Sequence, residues 1–218
     1  RKAYGTIMPV ILNDICWGLA TLVYVAVYGR MGTQAVAATQ ICSTVINLFL
    51  VAIFGLASAA TVMIGNSIGA EEEWLSKNYA RKFSLLAIEV SVVLGLLLAA
   101  ATPGILNFYN ISETVRHNSQ MILLINALLF FVRALGIMLI VGVLRGGGDA
   151  TYAFIIEGFT MWFIGVPLTI TGAFIFHLPI YLVYSLAVIE ETAKCILGLR
   201  RLKSGRWIKN VTRTLVSG

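Results

Sequence analysis

Charge is scarce in this 218-residue sequence, because Asp, Glu, Lys and Arg together make up only 12% of it. A soluble domain carries about twice that share of charged residues. Hydrophobic residues make up 59% of the chain, and a globular core of this length could not hide so much apolar surface from water. The composition therefore excludes a soluble globular domain and predicts a protein embedded in a lipid bilayer.

Cysteine and histidine are also rare, and this limits the chemistry that the chain can perform. The three cysteines are Cys16, Cys42 and Cys195, and the two histidines are His117 and His177. Their spacing fits no metal site, and an odd number of cysteines does not suit a disulfide framework. No Ser-His-Asp or Cys-His grouping has a spacing typical of nucleophilic catalysis. We therefore predict no metal, no cofactor and no enzymatic activity.

Three long runs contain no charged residue at all, at 31–70, 90–112 and 158–189. Each run exceeds the ~20 residues that a helix needs to cross a hydrocarbon core. The pattern predicts an all-α, polytopic membrane protein with one six-helix transmembrane lobe over residues 1–198. The predicted spans are approximately 7–29, 36–64, 82–103, 119–144, 151–176 and 179–198.

Most Lys and Arg residues flank these spans on one side, so the net charge of +6 indicates contact with lipid headgroups and not with nucleic acid. The predicted outer loops hold only Arg30 and Arg116. By the positive-inside rule, both termini are expected to be cytoplasmic in a multi-pass protein of the plasma membrane. Residues 199–218 form a basic cytoplasmic tail, which we expect to rest with Trp207 on an anionic leaflet.

Ionisable residues inside the predicted spans are functional candidates, because charge within lipid is costly. Asp14, Glu89, Glu157 and Glu190 all lie about 9–12 Å from the cytoplasmic helix ends, and Arg133 lies about 16 Å deep. Four carboxylates at one depth are expected to line a shared aqueous pocket that attracts a cation.

Structural roles compete with this interpretation. Glu190 and Lys194 stand four residues apart, the spacing of an ion pair within a helix. Arg133 could neutralise Glu157 or Glu191 inside the bundle. These acids would then only stabilise the fold.

Asp14 is the acid for which the sequence favours a functional role. Asn13 and Trp17 flank it, and Asn47 on the next span could supply another polar group. An acid beside a polar amide suits a proton or Na⁺ site. For Glu89, the structural role is favoured.

Two local patterns predict backbone geometry. Arg145-Gly-Gly-Gly-Asp149 is expected to form a tight turn in which Asp149 caps the following helix. Pro167 lies inside the fifth predicted span, where a proline removes a backbone hydrogen bond and kinks the helix.

Three stretches, in order, resemble the multidrug and toxic compound extrusion (MATE) transporters. The first comprises residues 9–17, the YGRMG of 28–32 and the AVAA of 35–38. The second is the GNSIGA of 65–70, followed by Ala80, which is similar to the family's G-x-x-x-G-A link. The third is the LRGGGD of 144–149 followed by Trp162 and the GVPL of 165–168, which resembles its L-R-G-x-G-D turn and the next helix.

The resemblance implies a twelve-helix transporter of two six-helix lobes, of which this chain is the C-terminal one. It also implies export of amphipathic, often cationic, drug-like compounds in exchange for H⁺ or Na⁺. The family's acid in the first helix of this lobe matches Asp14, and Glu157 is the nearest candidate for a second. The partner would be the missing N-terminal lobe or a second copy of this chain.

Two alternatives stay open. A lipid-linked oligosaccharide flippase of the same superfamily would share the fold, although its cavity should hold more basic residues than Arg133 alone. A non-transporting membrane scaffold would use the basic tail as its docking element.

Overall fold

The computed structural model describes the backbone of residues 2–209 and the side chains of residues 11, 12 and 14–209. Within these limits every regular element is helical, as predicted. The α-helices are α1 (Lys2–Met31), α2 (Thr33–Gly69), α3 (Glu73–Asn107), α4 (Glu113–Leu128), α5 (Phe130–Ile137), α6 (Ala150–Thr160), α7 (Val166–Phe174), α8 (Ile180–Ser185) and α9 (Ala187–Ser204). Two π-helical segments, Met138–Arg145 and Met161–Gly165, follow α5 and α6.

Three helices in the described part of the chain are long and apolar enough to cross a membrane. They are α2, α3 and the continuous helical stretch Ala150–Phe174. A fourth crossing is added if α4 and the stretch Phe130–Arg145, which meet at a bend of 60°, form one broken span. The predicted spans 7–29 and 179–198 coincide with α1 and with α8 and α9. That all six spans cross the bilayer stays a prediction.

The fourth predicted span, 119–144, is not one straight helix. It breaks at Leu129 and then widens into a π-helix over Met138–Arg145. The wider turns expose backbone carbonyls, and the Thr61 hydroxyl of α2 donates a hydrogen bond of 2.9 Å to one of them, that of Val141. Neither Leu129 nor its neighbours are Pro or Gly, so the sequence carried no signal for this break.

The kink predicted at Pro167 takes the form of a π-helical turn. Met161–Gly165 is π-helical and ends immediately before α7, in which Pro167 occupies the first turn. Proline has no N–H to donate to the carbonyl four residues earlier, so the regular α-helical pattern is interrupted there. Within α7, the Thr169 hydroxyl donates to the Gly165 carbonyl at 2.9 Å.

The segments that the charge pattern assigns to one membrane side lie at one end of the bundle. Ile208 from the tail lines the same surface depression as Glu71 and Glu72 from the α2–α3 link and Glu73 at the start of α3. The backbone N–H of Lys209 donates to the carbonyl of Gly147, in the turn before α6, at 2.8 Å. Which side of the membrane this end faces stays a prediction.

The turn before α6 corrects two expectations from the sequence. Asp149 stands at the N-cap position of α6, but its side chain makes no capping hydrogen bond. Its two carboxylate oxygens instead accept from Arg201 Nε at 2.7 Å and from Lys209 Nζ at 2.6 Å. Trp207 is fully buried and packs on Gly147, where any side chain would overlap its ring.

This part of the tail therefore folds back onto the bundle, where Asp149 holds its basic residues and Trp207 is buried. The expectation that Trp207 rests on the leaflet is wrong. The predicted tail residues 210–218, including Arg213, lie outside the described residues.

Candidate functional site

A cavity of about 340 Å³ lies between α1, α2, the α4–α5 break and the α8–α9 region. Its α1 wall is formed by Trp17, Thr21, Tyr24 and Tyr28, which repeat at steps of three and four residues and so share one helix face. The facing walls contribute polar or charged side chains, namely Thr39, Gln40, Ser43, Asn47, Asn126, Arg133, Tyr184, Glu190, Glu191 and Lys194. Such a polar chamber inside an apolar bundle suits the binding of an amphipathic molecule.

Lys194 is the centre of the charged part of this cavity. Its Nζ lies 2.7 Å from Glu190 Oε1 and 3.5 Å from Glu191 Oε1. The side chains of Lys194 and Glu190 are only 7% and 4% exposed. The ion pair predicted from their spacing is therefore confirmed, and it explains how these charges are tolerated in the interior. We call Lys194, Glu190, Glu191 and Tyr24 the lysine centre.

Tyr24 joins the lysine centre from the other end of the chain. Its hydroxyl donates a hydrogen bond of 2.9 Å to Glu190 Oε2, so both oxygens of Glu190 are engaged. Gly165 makes this contact possible, since a Cβ at that position would overlap both the Glu190 carboxylate and the Tyr24 hydroxyl. Sequence reasoning missed Tyr24, although its place on the same face of α1 as Trp17 was a usable signal.

Arg133 lines the same cavity but does not form the ion pair expected of it. Glu157 pairs with Arg145 at 3.5 Å, and Glu191 pairs with Lys194. Arg133 shares the cavity wall with Tyr184 instead. Within the described part of the chain, no carboxylate comes within 4 Å of Arg133. The prediction that Arg133 neutralises Glu157 or Glu191 is wrong, because both acids have nearer cations.

Three of the candidate residues come together at the cavity, namely Asn47, Arg133 and Glu190. Of the four carboxylates predicted to share one pocket, Glu190 alone lines it. Glu89 lies on an exposed face of α3. Glu157 pairs with Arg145 and does not line the cavity. The four acids lie at similar predicted depths, but each is on a different helix, and among these positions only that of Glu190 faces the cavity.

Asp14 is exposed and lies just beyond the cavity. It precedes Trp17 by three residues, so it continues the α1 stripe that lines the cavity by one further turn. It is therefore not sealed in protein contacts. The side chain of Asn13 lies outside the described residues, so the predicted pairing of Asn13 with Asp14 is not tested.

The sequence is similar to members of one transporter family. The profile of the MatE family matches residues 9–171. The chain is 30% identical to the probable multidrug resistance protein NorM of Listeria monocytogenes over 139 residues, which cover 64% of this chain and 30% of that protein. It is 23% identical to the uncharacterized transporter YisQ of Bacillus subtilis over 217 residues, covering 96% of this chain and 46% of YisQ.

Solved structures share the fold. The MATE transporter VcmN of Vibrio cholerae, in its bent form, superposes with a TM-score of 0.81 at 19% identity, over 95% of this chain and 48% of VcmN. A transporter of the MOP superfamily from Pyrococcus furiosus, described as having a binding pocket of reverse polarity, gives a TM-score of 0.83 at 15% identity, over 89% of this chain and 43% of its own. The chain thus spans less than half the length of these relatives.

Proposed function

The chain belongs to the MatE family, and from this membership we propose that it forms one half, the C-terminal lobe, of an exporter that exchanges amphipathic drug-like compounds for H⁺ or Na⁺. The family is one of transporters, which agrees with the prediction that the chain is not an enzyme. The observation that carries the proposal is the cavity, which combines an aromatic wall on α1 with charged groups on α5 and α9. Aromatic surface suits the apolar part of a substrate, and the charges suit its polar part.

Asp14 is the residue that we propose binds the coupling ion, with Glu157 as a second candidate. An exposed carboxylate one turn beyond the cavity is accessible to an ion and lies on the helix that also carries Tyr24. Binding of the ion would neutralise Asp14 and so change the charge on α1. Tyr24, on the same helix, connects α1 to Glu190 through its hydrogen bond. Glu157 would have to exchange its ion pair with Arg145 for the coupling ion.

Alternating access needs an element with two arrangements. The Leu129 break and Met161, the first residue of the second π-helical segment, line the cavity where the regular helix is interrupted, so small changes there would alter its shape. The α1 face that continues past the cavity to Asp14 is exposed, which suits contact with a second lobe. We propose that this partner is an N-terminal lobe or a second copy of the chain, in the plasma membrane with both termini cytoplasmic.

The proposal is tested with the native gene product in sealed vesicles. Wild-type protein is expected to export ethidium when a pH or Na⁺ gradient is imposed, and Asp14→Asn is expected to abolish the dependence on the gradient. Glu89→Gln is the matched control, since that acid is exposed on α3 away from the cavity. Unchanged export and unchanged gradient dependence in Asp14→Asn would remove the role assigned to this residue.

The flippase alternative gains one cavity cation that the sequence did not identify, Lys194. Lys194 already contacts two carboxylates, Glu190 and Glu191, so Arg133 is still the cavity's basic residue without a contacting acid among the described residues. Transport of lipid-linked oligosaccharide across the vesicle membrane, without transport of ethidium, would favour the flippase. If the protein transports neither compound, the scaffold is favoured.

A further inference from the structure

We propose that the C-terminal end of α9 binds the headgroup of an anionic phospholipid, with Arg200, Lys203 and Arg206 as the residues that contact its phosphate. The acyl chains of this lipid would lie along the outward face of the same helix. The inference concerns the lipid-facing surface and not the cavity, so it does not depend on the proposed transport.

The first argument is the arrangement of the outward face of α9. Ile189, Thr192 and Ile196 are exposed and follow one another at steps of three and four residues, so they form one stripe along the helix. Arg200 and Lys203 continue this stripe at the same steps and are also exposed. The α9 residues of the lysine centre project from the opposite side of the helix. An apolar stripe therefore ends in two cations.

The second argument is the length of the stripe. From Ile189 to Arg200 the helix rises about 16 Å. One leaflet contributes roughly half of the ~30 Å hydrocarbon core, or about 15 Å. An acyl chain can thus contact the stripe over the whole leaflet while its phosphate lies beside Arg200. Lys203 lies about 4.5 Å further along the axis, at the level of the headgroups.

The third argument is that the charge at this end of α9 is not balanced. Arg200, Lys203 and Arg206 are exposed, and none of them forms an ion pair with an acid in the part of the chain described above. Two nearby cations, Arg201 and Lys209, are by contrast both held by Asp149. The C-terminus of a helix supplies only about −0.5 of an elementary charge, so the three unpaired cations leave a net positive surface.

The chemistry of these side chains suits a phosphodiester. A guanidinium presents paired N–H donors that match two phosphate oxygens, and Lys adds a compact positive charge. Clusters of Lys and Arg at the membrane surface attract anionic headgroups. A zwitterionic lipid such as phosphatidylcholine carries the same phosphate, but its ammonium group is repelled by the cluster. A free phosphate has no chain to contact the stripe.

The test places a fluorescent reporter on the stripe of the native gene product. Thr192→Cys on a Cys16→Ala background is labelled with bimane, because Cys42 and Cys195 are buried and Thr192 is exposed. Cysteines outside this chain are replaced by alanine. The protein is reconstituted in vesicles that contain phosphatidylglycerol or phosphatidylcholine with a nitroxide on the acyl chain. Quenching of the bimane then measures how strongly each lipid occupies the stripe.

We expect phosphatidylglycerol to bind about 10-fold more tightly than phosphatidylcholine, because several cations act on one headgroup. Arg200→Gln/Lys203→Gln should reduce this preference to about 2-fold or less. Arg81→Gln/Lys82→Gln is the matched control, since it removes two exposed cations that the charge pattern assigns to the same membrane side, and it should retain the preference. Soluble glycerol phosphate should not relieve the quenching.

Equal quenching by the two lipids would overturn the inference, and so would a preference that persists in Arg200→Gln/Lys203→Gln. An equal loss in the control variant would overturn it as well, since the effect would then be one of total surface charge. Relief by glycerol phosphate would identify a free phosphate and not a lipid as the ligand. If neither lipid quenches the reporter, a protein surface covers this face and the inference is wrong. If the double variant does not fold, Lys203→Gln alone decides, with an expected loss of about 3-fold.

Discussion

The Tyr24 hydroxyl donates a hydrogen bond of 2.9 Å to Glu190, although the two residues lie 166 positions apart, in α1 and α9. This contact closes the lysine centre on the side away from Lys194. The helix that carries the proposed coupling acid is thereby connected to the charged wall of the cavity. The contribution of this contact to stability and its role in transport can be measured separately.

Lys194→Met is expected to destabilise the protein by about 3–5 kcal/mol, because it leaves the buried Glu190 and the partly buried Glu191 without their cation. The measurement is the free energy of unfolding in detergent. Lys77→Met is the matched control, since Lys77 and Glu73 form an exposed pair. That control should change the free energy by less than about 1 kcal/mol. Equal effects of the two variants would contradict the buried ion pair.

Gly165→Ala is expected to destabilise the protein by about 1–3 kcal/mol, because its methyl group would overlap the Glu190 carboxylate and the Tyr24 hydroxyl. Gly55→Ala provides the comparison, since an added Cβ there meets no described atom within 4 Å. An alanine in a helix is intrinsically favoured over glycine by about 1 kcal/mol, so Gly55→Ala should be neutral or stabilising. The free energy of unfolding in detergent is measured for both variants, and a stabilising Gly165→Ala would exclude the close approach.

Asp149→Asn is expected to release the described part of the tail. The variant loses the charge that holds Arg201 and Lys209, and each such hydrogen bond contributes about 1.5–3 kcal/mol. Limited trypsin digestion should then cut after Arg206 faster than in wild type. Glu73→Gln, a change at an exposed ion pair, should leave the cleavage rate unchanged. An unaltered rate in Asp149→Asn would contradict this, and would show that the buried Trp207 and the Lys209–Gly147 backbone hydrogen bond are enough to retain the tail.

Cysteine labelling tests the predicted orientation in the membrane. Cys42 and Cys195 are buried, so a Cys16→Ala background should react little with a membrane-impermeant maleimide. Introducing Asn110→Cys, in the loop between α3 and α4, should give labelling of intact cells. Ser204→Cys, at the end of α9, should label only after permeabilisation. The opposite pattern would invert the proposed topology.

Much of the fold could be predicted from sequence because lipid imposes simple requirements. Long uncharged runs are typical of membrane helices, and the structure shows α2 and α3 over two of them. The proline rule located the interruption near Pro167. The ion pair of Glu190 and Lys194 followed from a spacing of four residues on one helix. Each of these predictions depends on local sequence alone.

The contacts that sequence reasoning missed depend on how distant helices meet. No local pattern connects Tyr24 with Glu190. A glycine such as Gly165 does not show in the sequence which side chains pack against it. Asp149 is an ordinary capping residue in sequence, yet two tail residues compete for its carboxylate in the folded chain. Depth along a helix was a poor guide to the site, because depth does not specify the helix face.

The interruption at Leu129 has a mechanical consequence. Arg133 follows it by one helical turn, so its guanidinium lies on the order of 10 Å from the pivot. A swing of about 10° there would displace the positive charge by roughly 2 Å, enough to separate it from a bound partner. The same movement would then both widen the cavity and weaken its binding of a ligand.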